Sequence, residues 1–256
     1  MEKIYKNIVV KIENGIAILK FNRPEHLNAM NRQMMDEIID AIHSINGNKT
    51  VKVAIVTGEG RAFMAGADIK EYGNQTSNEF DAFQEKGIQL YEGVEKASIP
   101  WIAAVNGYAL GGGFEIALAC DMILARKDAT MGLPEVFLSL IPGGGGTQRL
   151  IQKVGINRVK EMLFTGASIS AGQLYDWGIV NRVIDKLEFW NQVMDFANKL
   201  SRRSSASIAE LKRLANMSMS ETPFERRIKD EAQTVKRLYL SQEAQAAIQN
   251  FIKKNQ

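Results

Sequence analysis

The chain has 256 residues, 45% of them apolar and 24% charged, with a net charge of +3. Those values suit one large domain, or a domain with an appendage, able to bury its core without covalent staples. One cysteine, Cys120, excludes an intrachain disulfide; two histidines, His26 and His43, argue against a His/Cys metal cage; the charge is too small to argue for nucleic acid.

Met1–Asn7 carries basic residues without a following apolar run, so no signal peptide is expected. Ile8–Ile12 and Ile16–Phe21, joined by Asn14-Gly15, read as a β-hairpin. Met34, Ile38, Ala41, Ile42 and Ile45 recur at helical spacing, predicting a helix over 31–45 that Gly47 ends. His43 sits on this helix, where a solvated or capping role is simplest, and His26 sits in a loop beside Pro24 within potential reach of a ligand. Val53–Thr57 is a short buried strand, and Arg61–Asp68 a loop that ends in a helix start at Asp68. Residues 78–97 form another helix, 102–105 a strand, 112–119 a helix and 122–125 a strand. The alternation of strands and helices predicts an α/β fold with ligands at the strand-to-helix turns. Ile99–Ala119 is the longest apolar stretch, but Pro100, Asn106, Gly111–Gly113 and Glu115 interrupt it and argue against a membrane span. Cys120, just past it, reads as a small buried hydrophobe. From about Leu187 onward the pattern is helical only, with a last helix capped by Ser241 and carrying Ala244, Ala247, Ile248, Phe251 and Ile252.

Glu115 and Glu135 each follow a glycine- or proline-bearing turn in strongly apolar surroundings. An ionised group is costly to bury unpaired, and two nearby carboxyls can divide acid and base work. Taken singly, each is equally well a carboxylate favoured by a helix N-terminus. Ala65-Gly66-Ala67-Asp68 and Gly111-Gly112-Gly113 place small residues just before helices. Outward-facing first-turn amides there would suit an oxygen that gains negative charge; the plainer alternative is that the glycines allow tight packing. Asp68 reads most simply as a helix cap. Pro142–Arg149 lacks the Gly-Lys-Ser/Thr of a phosphate loop and reads as a turned wall of a pocket rather than a phosphate cradle. No Gly-x-Ser-x-Gly elbow or Cys/His pair supports nucleophilic catalysis.

Five segments in this order and spacing resemble the crotonase (enoyl-CoA hydratase/isomerase) superfamily. They are Asn22-Arg23-Pro24 with Leu27-Asn28-Ala29; Ala62–Glu71; Pro100–Cys120; Gly132-Leu133-Pro134-Glu135; and Ile141–Arg149. The resemblance implies a spiral of repeated ββα units with an all-helical C-terminal region. It divides the chain into an acyl-CoA-binding catalytic core, 1–187, and a helical oligomerisation region, 188–256, that builds trimers or dimers of trimers. It also implies reversible hydration of a 2-enoyl-CoA to a 3-hydroxyacyl-CoA in the cytoplasm, with no metal or redox cofactor. Main-chain amides of Ala67 and Gly112 would hold the thioester oxygen, and Ala65, Ala67, Asp68, Ile69, Lys70 and Gly112 would line the substrate and CoA site. Glu115 would mainly handle water and Glu135 the α-carbon proton. The polar residue usual before Pro-Glu is Leu133 here, and Met131 and Phe137 also shape that neighbourhood, which bears on acyl preference. Lys253 and Lys254 match a basic position near the CoA phosphates of a neighbouring subunit. Alternatives are an enoyl-CoA isomerase, or a hydratase of branched or aromatic enoyl-CoA esters, on the same fold. A reading of another class is a non-catalytic RNA-binding relative using Arg202, Arg203, Lys212, Arg213, Arg226 and Arg227, residues more simply read as a solvated helix face.

Overall fold

A computed structural model of the chain describes residues 4–73, 75–218, 220, 222–242, 244 and 246. β1 (Ile8–Glu13) and β2 (Ile16–Phe21) form the expected antiparallel hairpin. Asn14 and Gly15 both take positive φ, 52° and 78°, as a two-residue turn matched to strand twist requires. α1 (Arg32–Gly47) starts one residue later than its apolar pattern suggests, because Asn31 stays extended and its side chain accepts the Met34 N–H.

Three ββα passes follow. The first is β3 (Val53–Gly58), β4 (Ala62–Met64), the one-turn α2 (Ile69–Tyr72) and α3 (Ser77–Glu95). The second is β5 (Trp101–Val105), β6 (Tyr108–Leu110) and α4 (Gly112–Ala119). In the third, β7 (Met122–Arg126) and β8 (Thr130–Gly132) lead through a 3-10 turn, Pro134–Leu138, to α5 (Gly146–Ile151) and α6 (Ile156–Thr165). In every pass the first strand joins one sheet and the second strand joins another. The larger sheet has the order β1-β2-β3-β5-β7-β10 and the smaller β4-β6-β8-β9. β9 (Ile169–Ser170), α7 (Ala171–Asp176) and β10 (Arg182–Ile184) supply the last strand of each. All pairings are parallel except β1 with β2 and β8 with β9.

The larger sheet is buried on both faces. Along β3 and β5, Ala54, Val56, Ala103 and Val105 face the main core, with Met34 and Ile38 of α1 and Phe114 of α4. Val53, Ile55, Ile102 and Ala104 face the opposite side, where Phe189, Val193 and Ala197 of α8 (Phe189–Ser201) cover them. Burial of such side chains contributes about 1.5–3 kcal/mol each, so α8 is a structural layer of the sheet. α9 (Ser205–Met217) and α10 (Phe224–Tyr239) complete the strand-free C-terminal part among the described residues. Ser241 accepts the Ala244 N–H as a cap would; Ala247, Ile248, Phe251, Ile252, Lys253 and Lys254 lie outside the described residues.

Several basic side chains of this part are engaged internally. Lys212 is nearly buried, 2.8 Å from Asp121 and donating to the Val94 and Ile99 carbonyls. Arg213 ties α9 to α10 through Asp230 at 2.7 Å. No described helix is long and apolar enough to cross a membrane.

Candidate active site

Three of the four short strands of the smaller sheet lead directly into loops of a single cavity. β4 delivers Ala65–Ala67, β6 delivers Gly111 and Gly112, and β8 delivers Pro134 and Glu135. The cavity has a volume of about 600 Å³, within the range of small-molecule sites. A fourth wall comes from α3, where Phe80, Phe83, Gln84, Gly87 and Tyr91 recur at helical spacing and share one face. Tyr72 of α2 meets Phe80 and Phe83 edge-on, with ring centroids 5.8 and 5.7 Å apart. Leu140–Gly144 closes the remaining side.

Glu115 and Glu135 both line this cavity. Glu115 projects from the first turns of α4 and is only 3% exposed. Its Oε1 accepts the N–H groups of Gly144 and Gly146, both at 2.8 Å, and the Tyr91 hydroxyl lies beside the carboxylate. Burial raises its proton affinity; the two amides, the Arg149 charge and Tyr91 pull it back down, and the net direction is upward. Glu135 follows Pro134 in the 3-10 turn and is half-buried. Its Oε2 is buried without a hydrogen-bond partner among the described residues. Burial, aided by the Glu115 charge, pushes its pKa up from 4.5 to about 7. Two coupled carboxyls held this way can keep one proton between them near neutrality.

Gly111 brings the loops together. Its φ of +52° is one that residues with a side chain rarely adopt, and its amide donates to the Gly132 carbonyl at 2.9 Å. A Cβ there would lie 2.8 Å from Glu135 Oε1 and 3.7 Å from the Gly66 Cα. Gly112 opens α4, so its N–H has no partner within the helix. Met30 donates to the Gly66 carbonyl and accepts from the Asp68 amide, an isolated parallel bridge around Ala67. The Ala67 N–H therefore points to the opposite edge from Met30. Gly113 serves packing instead, since a Cβ on it would collide with the Met64 carbonyl.

Among the residues singled out from sequence, Ala65, Ala67, Ile69, Gly112, Glu115 and Glu135 surround the cavity. Asp68 and Lys70 are not among its lining residues. Asp68 caps α2 through the Lys70 N–H and pairs with Arg23 at 3.1 Å. His26 occupies a short 3-10 turn, Pro24–His26, and does not line the cavity, and Cys120 is buried. The glycine run forms a wall, as its turn-rich sequence suggests, but its amides hold Glu115. Sequence reasoning missed Tyr91 and Arg149 altogether; the mixed aromatic and polar stripe on α3 is the signal that points to the first. Among the described residues, no group of three or more His, Cys, Asp or Glu could hold a metal ion.

The family model for enoyl-CoA hydratase/isomerase matches residues 11–256. The chain belongs to that family. A crotonyl-CoA hydratase of Syntrophomonas wolfei subsp. wolfei is 37% identical over 98% of this chain and 96% of its own. A short-chain-enoyl-CoA hydratase of Clostridium acetobutylicum is 37% identical over 83% of this chain and 82% of its own. The crystal structure of an enoyl-CoA hydratase from Bacillus anthracis superimposes with a TM-score of 0.93 at 30% identity, covering 97% of each chain. The ββα spiral expected for the family is thus the fold of this member.

Proposed function

We propose that this protein is an enoyl-CoA hydratase, adding water reversibly to a 2-enoyl-CoA to give a 3-hydroxyacyl-CoA. The relatives named above support a short-chain substrate such as crotonyl-CoA. The observation that carries the reading is one cavity edged by two carboxyls and two glycine-bearing loops in contact with each other. When water attacks the β-carbon, the thioester oxygen gains enolate charge, and main-chain N–H groups of Ala67 and Gly112 stabilise it. Glu115, whose carboxylate accepts two main-chain N–H groups, takes a proton from water. Glu135, whose affinity favours keeping a proton near pH 7, delivers one to the α-carbon. Atoms balance as one water adds across one double bond, with no change of oxidation state overall, so the reaction calls for no redox cofactor. The CoA moiety extends from Ala65, Ala67 and Ile69 toward Asp68 and Lys70 at the mouth.

Leu211, Phe224, Val235 and Leu240 on and around α9 and α10 are exposed apolar side chains that support self-association into trimers or hexamers. The same reading sets residues 188–256 apart as the oligomerisation region and puts the enzyme in the cytoplasm, where a lone buried thiol is at home. The direct test follows the ultraviolet absorbance of the conjugated enoyl thioester. Crotonyl-CoA mixed with the protein should lose that absorbance and yield 3-hydroxybutyryl-CoA. A graded set of 2-enoyl-CoA esters that all remain unhydrated would end the proposal.

A further inference from the structure

The carboxylate of Glu115 is held by more than its two amides. Tyr91 comes close to it from the C-terminal half of α3. Its ring is 5% exposed, and its hydroxyl lies 2.5 Å from where a Cβ on Gly144 would stand and 3.3 Å from where one on Gly112 would stand. The phenol therefore sits at the junction of the glycine run, the start of α4 and Glu115. Arg149 braces the same junction. It donates to the Gly144 carbonyl at 2.6 Å, forks onto Glu95 at 2.8 and 3.3 Å, and stacks over the Tyr91 ring with 5.7 Å to the centroid.

We propose that Tyr91 is a positioning residue of the reaction: its hydroxyl, wedged against Gly144 and braced by Arg149, fixes the orientation of the Glu115 carboxylate toward the attacking water. The inference rests on the hydratase reading given above. Two amides on a single oxygen leave a carboxylate free to pivot about that oxygen, and a hydroxyl packed beside it from another element narrows the pivot. Loss of orientation at a reacting group costs rate out of proportion to the contact removed. The groups facing Glu115 from each packed element are Tyr91 on α3, Arg149 on α5, Glu135 in the 3-10 turn and the amides of Gly144 and Gly146. Among these, Tyr91 is the neutral side-chain donor, so it is the one whose removal changes geometry without changing the charge count.

The test uses the full chain with carbon-13 in the glutamate carboxyls, Glu115 being assigned by the resonance lost in Glu115→Gln. Tyr91→Phe should raise the Glu115 titration midpoint by about 0.5–1 pH unit, as loss of a donor to the ionised form does. Incorporation of 3-fluorotyrosine at position 91, a stronger donor, should lower it, and this second variant keeps the hydroxyl and the packing. With crotonyl-CoA, Tyr91→Phe should lower kcat about tenfold with KM within about twofold, and shift the acid limb of the rate profile upward. A midpoint unmoved by both replacements, or full turnover in Tyr91→Phe, overturns the role of Tyr91. If the midpoint shifts as expected while the unaltered protein hydrates no 2-enoyl-CoA, the hydratase reading fails and Tyr91's part in catalysis with it, and the contact with Glu115 alone stands.

Discussion

Around Glu115, the amides of Gly144 and Gly146 and the Tyr91 hydroxyl converge on one carboxylate. Around Glu135, one carboxyl oxygen is buried with no partner among the described residues, and the other faces Gly111. Both acids lose water to burial; Glu115 accepts two main-chain N–H groups from the glycine run, whereas Oε2 of Glu135 has no partner among the described residues. The contrast teaches that two identical side chains in one cavity are tuned apart by their donors: a satisfied carboxylate tends to stay ionised, an unsatisfied one to stay protonated. The proposed division into base and acid rests on that difference.

The harshest way to break the comparison is to remove each proton carrier in turn. Glu135→Gln should lower hydration of crotonyl-CoA by about 10²–10⁴ while leaving binding of a CoA ester within a few-fold, read by calorimetry. Glu115→Gln should cost a similar factor. The double variant should fall little further than either single one, because the two act as a unit. Independent, multiplying losses would show that the two carboxyls serve separate steps and would undo the shared-proton picture.

A milder perturbation is pH. With Glu135 as the proton donor, kcat/KM for hydration should fall above its pKa of about 7, tenfold per pH unit once well past it. With Glu115 as the proposed base, the acid limb should follow its carboxyl, which burial raises. Since the Glu115 charge helps raise Glu135, Glu115→Gln should move the Glu135 midpoint down. A Glu135 midpoint that stays where it was when position 115 loses its charge would mean the two carboxyls do not sense each other.

The two sheets differ in how far the chain alone discloses them. The larger sheet is readable because its strands β1, β2, β3, β5 and β7 span five or six residues and are mostly β-branched or apolar. The strands of the smaller sheet have three residues or fewer, too short for any period, and the sequence suggests a loop at β4 and no element at β6. Yet three of its strands aim the loops that carry Ala67, Gly112 and Glu135. The candidate site was therefore legible as residue types, Glu115, Glu135 and the small residues beside them, and through family likeness. It was not legible as a set of partners. Nothing local marks Arg149, and the stripe on α3 marks the face of Tyr91 but not its partner, because both depend on how α3 and α5 pack against α4. Asp68 shows the converse: its plain capping pattern outlasts the folded structure's scrutiny, with an added pairing to Arg23 across 45 positions of sequence.

The smallest effects sharpen the comparison through stability. Glu115→Ala leaves the Gly144 and Gly146 amides buried without their acceptor, at about 1–3 kcal/mol each, so its melting temperature should drop at every pH tested. Glu135 has the opposite sign. Its folded pKa is about 7 against an ordinary 4.5, so between those values the folded state binds more protons than the unfolded one. Stability linked to this group is then fully present below about pH 4.5, declines as pH rises, and is lost above about 7. Glutamine does not titrate, so Glu135→Gln should melt above the unaltered protein at pH 8, by about 2–4 °C per kcal/mol recovered in a chain of this size. The gap should shrink toward zero by pH 4. This is the pattern of a site that keeps a strained group for function. A Glu135→Gln protein that melts lower at pH 8, or shows the same gap at both pH values, would mean that Glu135 is satisfied after all and would remove the physical basis for calling it the acid.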